Sequence, residues 1–312
     1  MRFATYLAAG RPRAAVLASD QTLLPVDDLV AGGPSEMLDV LDGGPALWER
    51  LRTAARSGRR GEPLSGAQLL APIPRPRRNV FCVGWNYSEH FAEGQGMRGP
   101  ADDVQEIPDY PAFFSKQTST VIGPEVPVWH PGPASNELDW EVELTVIIGT
   151  RGRDISEDRA YEHVFGYTIG NDVSVRDVQR RHGGQWFKGK SFDTHCPLGP
   201  WIVTPDELGD PHNLRISLRV NGITKQDSNT RYMVFRIPRI IKEVSVGMRL
   251  EPGDTILTGT PSGVGFARKP PEFLKVGDVM EAEIEKIGLL RNAVAAYAAQ
   301  APEQLASTAA GR

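Results

Sequence analysis

The segment Asp139-Trp140-Glu141-Val142-Glu143-Leu144 sets two glutamates one residue apart. In an extended strand, residues i and i+2 point the same way. Glu141 and Glu143 then share one face, and Val142, Leu144, Val146 and Ile148 fill the other. Carboxylates side by side raise each other's pKa unless a cation lies between them. An all-oxygen donor set suits Mg²⁺, Mn²⁺ or Ca²⁺ rather than Zn²⁺. The plain alternative is a solvated acidic strand face, since exposed Glu is common.

A second constellation is Asn86-Tyr87-Ser88-Glu89-His90-Phe91-Ala92-Glu93. Asn86 is a candidate helix cap, with Glu89 as its reciprocal partner. His90 and Glu93 become i, i+3 neighbours on that helix. A carboxylate beside an imidazole orients the ring, as a water-activating base requires. Gly94 to Pro100 follows and is expected to move as a lid. A capped surface helix with an ordinary ion pair is the competing view. In the third constellation, Gly166 to Asp177, Asn171-Asp172 is either a common turn dipeptide or the source of a third carboxylate, Asp172, at a strand end.

Gly184 to Ser191 matches the phosphate-loop pattern G-x-x-x-x-G-K-[ST] letter for letter. That loop needs a buried strand before it and a helix after it. Here Arg176 to His182 is too polar for a central strand, and Cys196-Pro197-Leu198-Gly199-Pro200 stops any helix. The match is therefore a decoy, and Lys190 needs another role.

These residues must be positioned by a chain of 312 residues, enough for one large domain and a small one. A net charge of −4 argues against nucleic acid as a partner. No apolar run approaches the ~20 residues of a membrane span, and the first residues lack signal-peptide character. Only two cysteines occur, Cys82 and Cys196, which points to a reducing cytoplasm rather than a disulfide framework. Cys82 lies in an apolar run and reads as a buried thiol. Residues 1–58 read as a small α/β unit. It has a hairpin around Gly10-Arg11-Pro12, a short helix capped by Ser35, and a helix from Ala46 to Ser57 closed by Gly58. Residues 59–78 are Pro-, Gly- and Arg-rich and read as a linker. From 79 to about 291, short β-branched runs alternate with Gly, Pro and Asp. Gly253-Asp254 and Gly277-Asp278 each mark a turn before such a run, so this part is mainly β with few helices. The Ala-rich tail, 292–312, is expected to fray.

In order along the chain stand Val83-Gly84-Trp85-Asn86-Tyr87, Asp139 through Leu144, Gly166-Tyr167 through Arg176-Asp177, Gly189-Lys190-Ser191-Phe192-Asp193, Pro197-Leu198-Gly199-Pro200, and Pro252-Gly253-Asp254 through Thr258-Gly259-Thr260-Pro261-Ser262-Gly263-Val264-Gly265. By this series the chain resembles the fumarylacetoacetate hydrolase family over residues 79 to 291. The resemblance implies a mixed β-roll core, a Mg²⁺- or Mn²⁺-dependent enzyme and commonly a homodimer. It implies Glu141, Glu143 and Asp172 as metal ligands and His90 with Glu93 as a catalytic dyad on a mobile segment. It further implies substrate contacts from Gln179, Lys190 and Thr260.

The chemistry follows from those parts. Three carboxylates and a divalent ion leave one negative charge, so an anionic substrate needs help from Lys190 and Arg176. A 2-oxo acid chelates the ion, which stabilises an adjacent enolate as a Lewis acid. The leading expectation is hydrolytic C–C cleavage of a 2,4-diketo acid of acylpyruvate or fumarylpyruvate type, with His90 as base and Lys190 in the catalytic set. The alternatives are decarboxylation of an oxaloacetate-like acid, isomerisation of an oxo acid, and a non-catalytic ligand-binding relative.

Overall fold

The computed structural model describes residues 1–19, 21–56, 61–97 and 106–297. The chain opens on the expected hairpin, β1 (Arg2–Ala8) and β2 (Arg11–Leu17). Ala9 and Gly10 form its two-residue turn, both at positive φ, which suits the right-handed twist of the strands. Strand β3 (Thr22–Pro25) follows, then α1 (Val26–Leu29), α2 (Met37–Asp42) and α3 (Gly44–Ala55). Ser35 does not cap α2. Glu36 holds that position, and the Ser35 carbonyl accepts from the Ala14 amide instead. The expected stop at Gly58 lies outside the described residues.

The stretch expected as a linker is laid against the sheet. Within it, β4 (Glu62–Pro63) pairs with β3, the Leu70 amide donates to Thr5, and Leu70, Ala71 and Ile73 are buried. Then come β5 (Val80–Gly84), α4 (Ser88–Glu93), β6 (Ala112–Lys116), β7 (Val121–Ile122) and β8 (Val128–Trp129). The segments with the acidic motifs follow as β9 (Leu138–Asp139), β10 (Val142–Ile148), β11 (Val164–Asn171) and β12 (Ser174–Val175). Two short helices, α5 (Arg176–Arg181) and α6 (Phe187–Lys190), lead to β13 (Cys196–Val203) and α7 (Pro205–Leu208). The chain closes with β14 (Arg215–Val220), β15 (Ile223–Asn229), α8 (Ile237–Ser245), β16 (Thr255–Leu257), β17 (Val279–Ile284) and β18 (Gly288–Ala295). The two Gly-Asp turns stand directly before β16 and β17, with Gly253 and Gly277 at positive φ as a turn requires.

The fold is mainly β. An eleven-stranded mixed sheet runs β4-β3-β2-β1-β13-β11-β10-β16-β5-β6, with β7 on β13. A five-stranded sheet, β15-β14-β17-β18-β8, packs beside it. Strands β10 and β11 lie in the middle and are buried along both faces, which explains their runs of Val, Ile and Leu. Because β1 pairs with β13, the N-terminal strands belong to the same sheet as β10 and β11. The tail begins later than composition suggests. Asn292 and Val294 are buried, and Val294 pairs with Val128, so residues through Ala295 are strand.

Phe165 on β11 joins the N-terminal helices to the sheet. Its ring lies 5.1 Å from that of Phe3 and 4.8 Å from that of Trp48. Phe165→Ala should cost about 3–5 kcal/mol. It should lower the denaturant midpoint without splitting the transition, and a midpoint equal to the parent's would refute this packing role. A second prediction concerns pH. His195 is buried, its Nε2–H donates to the Trp129 carbonyl at 2.8 Å, and burial pushes its pKa down to about 3. The unfolded chain takes up a proton near pH 6.5 that the folded chain refuses. Stability should therefore fall, by a few kcal/mol, as pH drops from about 6.5 towards 3. His195→Gln should flatten that slope in thermal melts, whereas a slope matching the parent's would exclude this histidine as its source.

Candidate metal centre and active site

The β10–β11 register brings the acidic residues together. Val142 faces Asn171 and Glu143 faces Gly170. Beyond the last pair, the Asp172 amide donates to the Glu141 carbonyl at 2.8 Å, and the Asn171 side chain accepts from the Glu141 amide at 2.9 Å. The two segments are thus locked where their carboxylates emerge. One oxygen from each of Glu141, Glu143 and Asp172 lies within 4.8 Å of the others, and all three residues are buried. The acidic face is interior, not a solvated one.

Three buried cations surround the triad. Lys190 Nζ donates to Glu141 Oε2 at 2.8 Å and to Asp172 Oδ2 at 2.7 Å. Lys116 Nζ donates to Asp172 Oδ1 at 2.6 Å and to the Val173 carbonyl at 3.0 Å. Arg176 approaches Glu141 Oε1 at 2.6 Å, donates from Nε to Asp139 Oδ2 at 2.8 Å, and reaches Gln179 Oε1 at 3.2 Å. Asp139 is a hub. It also accepts the amides of Trp140, Gly265 and Phe266, so it ties β9 to the late Gly-rich loop.

The surroundings push the two glutamates in opposite directions. Burial opposes ionisation of Glu141, but Lys190, Arg176 and His90 outweigh it and hold its pKa well below the usual range. Glu143 is pushed well above that range by burial first, then by Asp172 and Glu141. Lys190 and the Gly259 amide, 2.6 Å from Glu143 Oε2, only partly oppose this. Four buried carboxylates, counting Asp139, face three cations, so the formal balance is one negative charge. A divalent cation would relieve the repulsion that raises Glu143. The oxygen-only donor set fits a hard ion such as Mg²⁺ or Mn²⁺.

His90 and Glu93 are brought together on α4, with His90 Nδ1 2.8 Å from Glu93 Oε1. A carboxylate only accepts, so Nδ1 carries the proton and Nε2 is the basic nitrogen. Glu93 Oε2 accepts the Gly263 amide at 2.8 Å, which fixes the orienter in turn. Asn86 is not the helix cap; Tyr87 is. Asn86 is buried and staples three segments, donating to Phe235 and Thr258 carbonyls and accepting the Phe235 amide. Of the expected lid, residues 98–100 lie outside the described residues.

One cavity joins these groups. Its lining includes His90, Glu141, Glu143, Arg176, Gln179, Lys190 and Thr260. Asp172 sits behind them, wholly buried. The Thr260 hydroxyl donates to Val142 at 2.9 Å and accepts from Gln226 at 2.8 Å, so its proton already serves the backbone. Arg231 and Tyr232 lie away from the cavity: Arg231 binds Asn213, and Tyr232 is exposed. The phosphate-loop look-alike is preceded by α5, not a strand. Its Gly189 permits the close approach of α6 to α5, where a Cβ would fall 2.4 Å from the Gln179 backbone. Lys116 and Asp139 went unassigned in the sequence. The one available signal is a lysine closing the apolar strand Ala112–Lys116; Asp139 stood in the acidic motif without a role of its own.

A sequence model of the C-terminal domain of fumarylacetoacetate (FAA) hydrolase matches residues 79–295, well over half of the chain. The chain belongs to the fumarylacetoacetate hydrolase family. It is 47% identical over 262 residues to the Bos taurus protein "Oxaloacetate tautomerase FAHD2A, mitochondrial", covering 84% of this chain and 80% of that one. It is 46% identical over 231 residues to "Oxaloacetate tautomerase YisK" of Bacillus subtilis, covering 74% of each. Among solved structures it resembles maleylpyruvate hydrolase from Sphingobium sp. SYK-6 in complex with manganese(II) and pyruvate. That likeness has a TM-score of 0.76 and 30% identity, and covers 96% of this chain and all of that one. The chain is therefore an enzyme of this family. Among the described residues no helix is long and apolar enough to cross a membrane.

Glu143→Gln preserves an acceptor for the Gly259 amide but removes one charge from the donor set. Calorimetric titration with Mg²⁺ should show at least ~100-fold weaker binding with the fold retained. Equal affinity in the two proteins would exclude Glu143 as a ligand.

Proposed function

We propose that this enzyme interconverts the enol and keto forms of oxaloacetate or a similarly short 2-oxo dicarboxylate, using Mg²⁺ or Mn²⁺ held by Glu141, Glu143 and Asp172. The observation that carries this reading is His90, with its basic Nε2, on the same small cavity as Glu141, Glu143, Lys190 and Arg176, with Asp172 directly behind them. When bound, the ion supplies Lewis acidity that polarises the 2-keto group and acidifies the neighbouring C–H.

The remaining work falls to the chain's own residues. His90 Nε2 exchanges the proton at C3, while Glu93 holds the opposite ring nitrogen and fixes the orientation of the ring. Lys190 and Arg176 offset the substrate's negative charge. Tautomerisation moves one proton between C3 and the 2-oxygen, from oxygen to carbon in the enol-to-keto direction, so it consumes no water and releases no fragment. The dyad ends each turnover as it began. The names of relatives 46–47% identical support this reaction.

Hydrolytic cleavage of a 2,4-diketo acid, the leading expectation from sequence, becomes the second reading. Its support is the same dyad, able to activate water, and the likeness to a maleylpyruvate hydrolase. Gln179 and Arg176 remain proposed substrate contacts, and Thr260 contributes through its position on the wall. A homodimer and a cytoplasmic location are also proposals. The names of several relatives carry the word mitochondrial.

His90→Ala should slow enol-to-keto conversion of oxaloacetate, followed by ultraviolet absorbance, by about 10²–10⁴-fold. Mn²⁺ affinity should stay near the parent's. An undiminished rate would remove His90 from the mechanism. Product analysis separates the readings: tautomerisation conserves all four carbons, hydrolysis yields two acids, and decarboxylation yields CO₂.

A further inference from the structure

The cavity has two unlike zones. Its floor is charged, built from Glu141, Glu143, Arg176, Lys190 and His90, and its wall is aromatic, built from Trp85, Phe114 and Trp186. The floor recognises what every 2-oxo acid shares. The wall meets whatever extends beyond that head.

Trp186 is the keystone of the wall. Its ring packs edge-on to Trp85 at 4.9 Å and to Phe114 at 5.2 Å. It also presses on the backbone of Gly84 at the end of β5. A Cβ there would lie 2.4 Å from the far edge of the indole. Gly84 is not among the residues at positive φ, so the ring, not the backbone conformation, is what an added side chain would meet. Trp186 and Lys190 are four residues apart, and the Lys190 amide donates to the Trp186 carbonyl at 3.1 Å. They therefore share one face of a single helical turn. That turn is the phosphate-loop look-alike, and it carries both the cation for the head and the barrier for the tail. With the ring in place the cavity volume is about 50 Å³, room for a handful of waters at the ~10–15 Å³ each requires.

We infer that Trp186 is a specificity-determining residue that limits the enzyme to short 2-oxo acids by filling the space a longer chain would occupy. The inference rests on the proposed binding of a 2-oxo acid head by the floor, and it adds the tail limit. The test is calorimetric binding of pyruvate and 2-oxooctanoate to the full-length, Mn²⁺-loaded protein. The readout is the ratio of Kd for the eight-carbon acid to Kd for the three-carbon acid. Trp186→Ala should lower that ratio roughly tenfold or more. Trp186→Leu keeps an apolar side chain but shortens the wall, so it should lower the ratio in the same direction. A fall of less than threefold in the variants that fold would overturn the inference. A parent protein that binds neither acid would remove the head-group reading, and the inference with it. A parent that binds pyruvate but leaves oxaloacetate untouched would fail the proposed reaction alone.

Discussion

Like charges crowded out of reach of water are the constraint that the rest of this structure answers. Glu141, Glu143, Asp172 and Asp139 are each under 5% exposed, and burial of an isolated carboxylate is prohibitive. Lys116, Lys190 and Arg176 come from three different parts of the chain to meet them. Two of these, Lys116 and Lys190, divide the oxygens of Asp172 between them. What remains uncompensated falls on Glu143, whose neighbours push it towards the neutral acid. A protein selected only for stability would replace such a cluster with apolar side chains. Keeping it makes sense when a multivalent cation completes the charge balance.

The supporting fold is arranged to keep that cluster rigid. Strands β10 and β11 fix the carboxylates by ladder register, and Asp139 and Asn86 tie the irregular loops to those strands through backbone contacts. The His90–Glu93 pair sits on a helix of one and a half turns, next to glycine-rich chain. The carboxylate cluster is thus held by the central strands, and the histidine–glutamate pair by a short helix at the cavity's edge.

Much of this was legible in the chain because the signals were local. The Glu-x-Glu spacing, the His90–Glu93 spacing and the Gly-Asp turns each need only a few neighbouring residues. The ordered motifs then pointed to one family. What was not legible depends on distant partners. Asn86 has the composition of a cap, yet its amide is used by Phe235 and Thr258, about 150 or more positions away. Lys116 looks like a strand end facing water until Asp172 is brought beside it. The proline-rich stretch after the first helices reads as a spacer, because nothing in its own composition reveals that Thr5 and β3 will pair with it. Thr260 sits where expected, but its hydroxyl is claimed by Val142 and Gln226, which no local pattern announces.

The pairing of β1 with β13 has an evolutionary and a practical side. A sequence signature ending cleanly at residue 79 suggests a module that could be cut out and moved. The hydrogen-bond ladder does not stop there, since an excised piece would uncover the Ile202–Val203 end of β13, where Phe3 and Arg2 pair, the kind of rim that recruits a stranger's strand. Inheritance and cooperativity therefore have different borders in this molecule. Anyone seeking a minimal catalyst would have to keep the first hairpin or supply another cover for that rim.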